Sequence, residues 1–147
     1  MIKPESILYT AEAIVTGGRE GSARTTDGRL DVKLNIPKEL GGPGGDGTNP
    51  EQLFAAGYAA CFLSAVKLVG RLNKTPVGDD ASIHAIVGTG RAGERYALET
   101  ELRVSLPGFD QASAEHIVEE AHKRCPYSNA TRGNMEVRLV VNAPATA

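Results

Sequence analysis

The chain has 147 residues, a formal net charge of −2 and 41% apolar residues. That is the profile of one globular domain with enough chain to bury a core without disulfide staples. The near-balanced charge argues against nucleic acid or an anionic membrane as partner, since both favour a basic excess. Aromatic residues make up only 5% and tryptophan is absent, which leaves no stacking platform for bases or sugars.

The N-terminal stretch MIKPESILYTAEAIV carries no basic-then-apolar signal and no small-residue cleavage site, so the expected location is cytoplasmic. Ile7, Tyr9, Ala11, Ala13 and Val15 alternate with Leu8, Thr10, Glu12 and Ile14, which predicts a first strand over residues 7–15. Gly17 and Gly18 break it. Further on, Leu30, Val32, Leu34 and Ile36 alternate with Arg29, Asp31, Lys33 and Asn35. With Asp27-Gly28 as a two-residue turn signal, residues 20–36 read as a hairpin. The Gly/Pro-rich segment PKELGGPGGDGTNP, residues 37–50, lacks the Lys-Ser/Thr pair of a phosphate loop and reads as a flexible connection or lid.

Thr48 or Asn49 can cap a helix that starts at about Pro50, with Glu51 facing its positive end, and runs to about residue 72. Its apolar run, Leu53 to Val69, is short for a membrane span and contains Lys67. Being apolar on nearly every side, the helix is expected to be central. Ala56, Gly57, Ala60 and Ser64 form a stripe of small residues, with Cys61 alongside. ASIHAIVGTGRAG and ERYALETELRVSL predict two strands joined at Gly88 to Gly93, the second with Tyr96, Leu98, Thr100, Leu102, Val104 and Leu106 on one face. Asp110 caps a second helix whose stripe is Ala114, Ile117, Val118 and Ala121, continued by Cys125 with Pro126 just beyond. Met135, Val137, Leu139 and Val141 mark a last strand, and the tail, about 143–147, is expected to be disordered. The order β-β-β-α-β-β-α-β describes one α+β domain over 1–147, with helices against antiparallel sheets.

The two cysteines, Cys61 and Cys125, carry the chemical question. A free cysteine is often a small buried hydrophobe, and that reading stands open for both. A zinc site is disfavoured: His116 and His122, six apart, lie on different helix faces, and no Cys-x-x-Cys or His-x-x-x-His occurs. The three histidines read as ordinary surface or sheet residues. A reactive thiol must ionise, and apolar burial opposes that. Cys61 lies about three turns into its helix, beyond much help from the N-terminal dipole, and Cys125 lies near a helix C-terminus, where the dipole opposes a negative charge. Activation therefore needs a cation. Arg19, Arg24 and Arg29 are the candidates; Arg29 follows the hairpin turn and should be solvated, whereas the glycine pair before Arg19 can turn it inward. A buried arginine needs a carboxylate, and Glu51 is a natural one.

GGREGSARTTDGRLDVKL, PKELGGPGGDGTNPEQLFAAGYAACF and CPYSNATRGN together resemble the organic hydroperoxide resistance (Ohr) branch of the OsmC/Ohr family over roughly residues 5–142. The resemblance implies an OsmC-like α+β fold, with antiparallel sheets packed around two central helices in an intertwined homodimer. It implies a thiol peroxidase without metal or other cofactor, in which Cys61 is the peroxidatic and Cys125 the resolving cysteine, joined in an intramolecular disulfide, and Arg19 and Glu51 form the activating pair. The implied substrates are fatty-acid and alkyl hydroperoxides, and the implied reductant is a lipoylated protein or dihydrolipoamide. Leu53, Phe54, Tyr58, Phe62 and Leu63 could line a pocket for an alkyl chain, with plain core packing as the alternative for each.

Ten helical residues separate Glu51 from Cys61, about 15 Å along the axis. A triad of Arg19, Glu51 and Cys61 is therefore expected to form across a C2 dimer of antiparallel helices, which the small stripe would let pack closely. Competing readings are a lipid or small-molecule binder with incidental cysteines, a thiol redox sensor, and an osmotically induced relative with the same chemistry.

Overall fold

The computed structural model describes residues 1–143, so the tail expected to be disordered lies outside the described residues apart from Ala143. The chain divides into two compact units, Met1–Leu53 and Phe54–Ala147. The first holds an antiparallel sheet of order β1-β2-β3, formed by Ala13–Thr16, Ser22–Thr25 and Asp31–Lys33.

The first strand is shorter than its alternation suggests. Pairing starts at Ala13, opposite Thr25, while Ile7, Leu8 and Tyr9 stay outside the sheet and exposed. The ladder stops there because β2 runs out: one further bond, Thr26 N–H to the Glu12 carbonyl, precedes the turn at Asp27. That turn is also wider than two residues. Thr25 N–H donates to the Leu30 carbonyl and closes a loop over 26–29, in which Gly28 takes φ 76°. The Asp27 carboxylate accepts from Thr25 Oγ1 and the Arg29 N–H, a local side-chain turn that outcompetes the tighter hairpin. The segment expected to be flexible is knitted instead. A 3-10 turn at Lys38–Leu40, a bond from Gly44 N–H to the Ile36 carbonyl, and a parallel bridge between Leu34 and Thr48 tie it down.

Helix α1 spans Pro50–Leu72, as its capping residues predict. Asn49 supplies the cap, its Oδ1 accepting from the Gln52 N–H at 2.9 Å, while the Thr48 hydroxyl donates to the Gln52 side chain. By length and composition alone α1 could cross a membrane. In the fold, one stripe, Tyr58, Phe62, Val66 and Val69, enters the core. The opposite stripe of Ala56, Ala60, Ser64 and Leu68 is exposed in the single chain, so α1 is enclosed on one side only.

The second unit builds its sheet from β4, Ser82–Ala92, β5, Arg95–Ser105, and β6, Glu136–Asn142, in that order. β4 and β5 are antiparallel across the turn at Gly93 and Glu94, but β6 runs parallel to β5. The antiparallel pairing expected of the sheets holds for β4 with β5 but not for β5 with β6. Two helices, α2 at Gln111–Arg124 and α3 at Pro126–Thr131, carry the chain back along the sheet, and such a crossover delivers a parallel neighbour. On β5, Thr100, Leu102 and Val104 are buried, with Leu106 just after it, whereas Tyr96 at the far end is exposed. α2 starts at Asp110, whose carboxylate accepts from the Ser113 N–H at 2.8 Å, and buries Ala114, Ile117, Val118 and Ala121.

Leu102, fully buried on the central strand, joins the same core as Phe62 and Val118. Leu102→Ala should cost roughly 2–5 kcal/mol by lost burial and cavity formation. Urea unfolding followed by circular dichroism checks it; a midpoint equal to wild type would mean this core is loosely packed.

Candidate active site

In the first unit the chain leaves β1 through Gly17 and Gly18, both at positive φ, into a 3-10 turn at Gly18–Glu20. A Cβ at Gly17 would lie 2.8 Å from the Gly21 Cα, so this corner requires glycine. The turn presents Arg19 to Glu51 in the first turn of α1. Arg19 Nη1 donates to Glu51 Oε2 at 2.9 Å and Nη2 to Oε1 at 2.6 Å, a two-pronged fork. The arginine hydrogen bond is the main cause holding the Glu51 carboxyl below its usual range and the main cause raising the Arg19 pKa. The Glu51 side chain is 14% exposed and that of Arg19 39%. The pair is therefore a fixed guanidinium with one flank still open. Arg24 and Arg29 are exposed, and Arg29 lies 3.7 Å from Asp27.

In the second unit two free thiols meet. Cys61, partly buried on α1, packs against the core cluster that contains Cys125, which is fully buried between α2 and α3 and close enough to influence the Cys61 thiol. Burial pushes the Cys61 thiol up, Cys125 adds to that rise, and the Tyr127 N–H donated to the sulfur lowers it. Among the described residues from Phe54 onward, no cation offsets the burial.

Two further contacts shape this spot. The Tyr127 ring packs at a tilt against Tyr58, 5.5 Å between centroids, and against Phe54, 5.9 Å. Gly57 makes room for it, since a Cβ there would meet the Tyr127 hydroxyl at 2.7 Å. Of the residues considered for an alkyl pocket, Tyr58 and Phe62 are fully buried, Phe54 and Leu63 are packed against the core as partly buried residues, and Leu53 is half-buried in the first unit.

The sequence marks His122 as an ordinary surface or sheet residue, yet its Nδ1 lies 2.8 Å from the Ser128 hydroxyl. The same hydroxyl lies 2.8 Å from the Tyr58 hydroxyl. Ser128 is fully buried, and burial plus the Arg132 charge lower the His122 pKa. The one available signal was the i, i+3 spacing His122–Cys125–Ser128. It had no meaning without the break between α2 and α3.

Residues 42–140 match the OsmC-like protein family. An organic hydroperoxide resistance protein of Xanthomonas axonopodis pv. citri is 53% identical over 141 residues, covering 96% of this chain and 99% of that protein. The Bacillus subtilis organic hydroperoxide resistance protein OhrA is 40% identical over 139 residues, 91% of this chain and 96% of its own. A crystal structure of an organic hydroperoxide resistance protein from Legionella pneumophila superimposes with a TM-score of 0.89 at 47% identity, covering 94% of this chain and all of that one. The sequence resemblance and the α+β fold thus have the same source: the chain belongs to the OsmC/Ohr family, among its organic hydroperoxide resistance proteins.

Proposed function

We propose that the protein is a cysteine-based peroxidase that reduces fatty-acid and alkyl hydroperoxides to alcohols, detoxifying organic peroxides in the cytoplasm, where two free thiols are at home. The observation that carries this reading is that two free thiols, Cys61 and Cys125, share one core cluster and influence one another. Two free cysteines in one cluster can be joined by a disulfide once one of them is oxidised.

In this reading the Cys61 thiolate attacks the distal oxygen of R–O–O–H. The O–O bond breaks, an S–O bond forms, and the departing alkoxide takes a proton to become R–OH, leaving Cys61 as sulfenic acid. The Cys125 thiol then displaces the hydroxyl; an S–S bond forms and water leaves. A lipoyl dithiol, on a lipoylated protein or as dihydrolipoamide, attacks that disulfide, forms a mixed disulfide, and closes its own ring to release both cysteines as thiols. Cys61 is assigned the first step because it is the more exposed of the two sulfurs.

The Arg19–Glu51 fork is assigned the activation of Cys61. Ten residues of helix, about 15 Å, separate Glu51 from Cys61, so the fork of one subunit is assigned to the thiol of another. A C2 homodimer accounts for several exposed apolar features at once. β1 is exposed along its length, Ile7, Leu8, Tyr9, Ile14 and Val15 lie open, and α1 shows its stripe of small residues. A three-stranded sheet with only Ala23 and Leu34 buried in its unit needs such a cover. In that assembly residues 1–147 act as one domain, and Leu53 and Phe54, which keep open surface, are the pocket residues assigned to the alkyl chain, with Tyr58 and Phe62 backing them from the core.

The decisive assay supplies dihydrolipoamide and compares a bulky organic hydroperoxide with hydrogen peroxide. Wild type should prefer the organic substrate. Cys61→Ser should abolish turnover, and Cys125→Ser should allow one turnover with impaired recycling; undiminished turnover in Cys61→Ser would move the nucleophile elsewhere. Arg19→Ala should raise the Cys61 pKa and slow attack at pH 7 roughly tenfold for each unit of that rise, through the lost thiolate fraction. A thiol titration curve that does not move would assign activation to another cation. Light scattering at micromolar protein should give a dimer, and a fully active monomer would end the composite-site reading.

A further inference from the structure

Three helices meet at one buried oxygen. Ser128 Oγ, on α3, lies 2.8 Å from Tyr58 on α1 and 2.8 Å from Nδ1 of His122 on α2. Each partner stands three residues from a cysteine: Tyr58 precedes Cys61, His122 precedes Cys125, and Ser128 follows Cys125. The node therefore lies one helical turn from both sulfurs.

We infer that His122 is a positioning residue for disulfide closure: through Ser128 it holds the α2–α3 turn, and with it the Cys125 thiol, against Cys61. This rests on the peroxidase reading for its place in a catalytic cycle, although the geometry applies to any oxidation of the pair.

The hydrogen-bond count supports the assignment. A hydroxyl has one proton, so Ser128 can donate to only one of its two close partners. With neutral His122, the Tyr58 hydroxyl donates to Ser128, and Ser128 donates to His122 Nδ1, giving two short bonds. A protonated ring would donate to Ser128. The Ser128 oxygen could still accept from Tyr58, but its own proton would then lose both short partners as acceptors. Were that proton to turn to Tyr58, the Tyr58 proton would have only Thr131 Oγ1, at 3.4 Å. The neutral imidazole is the form that fits, and burial beside Phe62, with Arg132 bonded to the His122 carbonyl, favours it. Arg132, held to Asn129 at the end of α3 at 2.6 Å, thus adds through the His122 carbonyl a second tie between α3 and α2. Removing the imidazole would leave the buried Ser128 proton without its acceptor and free the segment that carries Cys125 and Tyr127.

The test compares wild type with His122→Ala, His122→Asn and Ser128→Ala, all reduced beforehand. With one equivalent of tert-butyl hydroperoxide, dimedone traps the Cys61 sulfenic acid and mass spectrometry follows the disulfide. His122→Ala should slow closure roughly tenfold more than it slows Cys61 oxidation, the scale of one orphaned buried donor, and should accumulate trapped sulfenic acid. Asparagine, whose Oδ1 can accept where Nδ1 does, should restore closure. Closure in His122→Ala that keeps pace with wild type, or an asparagine variant as slow as alanine, overturns the inference. Should His122→Ala fail to fold by circular dichroism, Ser128→Ala carries the same expectation, and wild-type closure in it is equally fatal. A parallel arm uses diamide: one thiol adds across its N=N bond, the second displaces the hydrazine, and the two thiols give up two electrons and two protons. A wild type that ignores hydroperoxide yet closes with diamide faster than His122→Ala would sink the peroxidase reading and leave the positioning role standing.

Discussion

Pro126 fixes where the second thiol lies. Its ring clashes with a helical conformation at the preceding residue, so Cys125 takes φ −63° and ψ 125° and α2 must end there. The same proline has no N–H to lose and opens α3 at its first position. Cys125 consequently occupies both a helix end and a helix start, its N–H donating back to Ala121 and its carbonyl accepting from Asn129. Two short helices, locked at their junction, then aim one sulfur and one amide, that of Tyr127, at Cys61. Without the proline, α2 could continue and this junction would not exist.

That arrangement creates an electrostatic difficulty. The apolar packing that brings the sulfurs together also disfavours the charged form of Cys61, and a second sulfur beside it disfavours it further. One amide donor answers only part of this. The first unit holds a guanidinium already committed to a carboxylate, which keeps its geometry while leaving a flank free. In the proposed dimer that flank is turned to the thiolate, so folding of the site and assembly of the protein become one event. A carboxylate in the first turn of a helix is a good anchor for such an arginine, since the helix end favours its charge independently.

Elements with strong local signals were legible in the sequence. α1 begins and ends where its cap and apolar pattern place it, α2 starts on Asp110, and the alternation of β5 matches its buried face from Thr100 to Leu106. What escaped depended on partners far along the chain. Alternation over residues 7–15 describes a strand only if something pairs with it, and β2 is too short. The direction of β6 is invisible in its own residues, because alternation is the same for parallel and antiparallel neighbours. α3 was missed because Pro126 reads as a stop signal, whereas here it is also a start. The need of a buried thiol for a cation, and of that cation for a carboxylate, was derivable from charge logic and led to Arg19 and Glu51. The pairing of Cys61 with Cys125 comes only through family resemblance, since 63 residues of intervening chain carry no local trace of it.

Burial also sets the order of events in the proposed cycle. Cys125 has no solvent-exposed surface, whereas Cys61 keeps some. A hydroperoxide arriving from outside can thus reach only one of the two sulfurs, and the inner thiol meets nothing more oxidised than the sulfenic acid beside it. The competing fate of that sulfenic acid is attack by a second peroxide, to sulfinic acid. Which fate wins is a race between diffusion of a new peroxide and the motion of a thiol already in the same cluster. A fully hydrogen-bonded junction between α2 and α3 favours the second by keeping the resolving thiol where it is needed before oxidation begins. Rigidity around Cys125, rather than reactivity of Cys125, is then the property that protects Cys61.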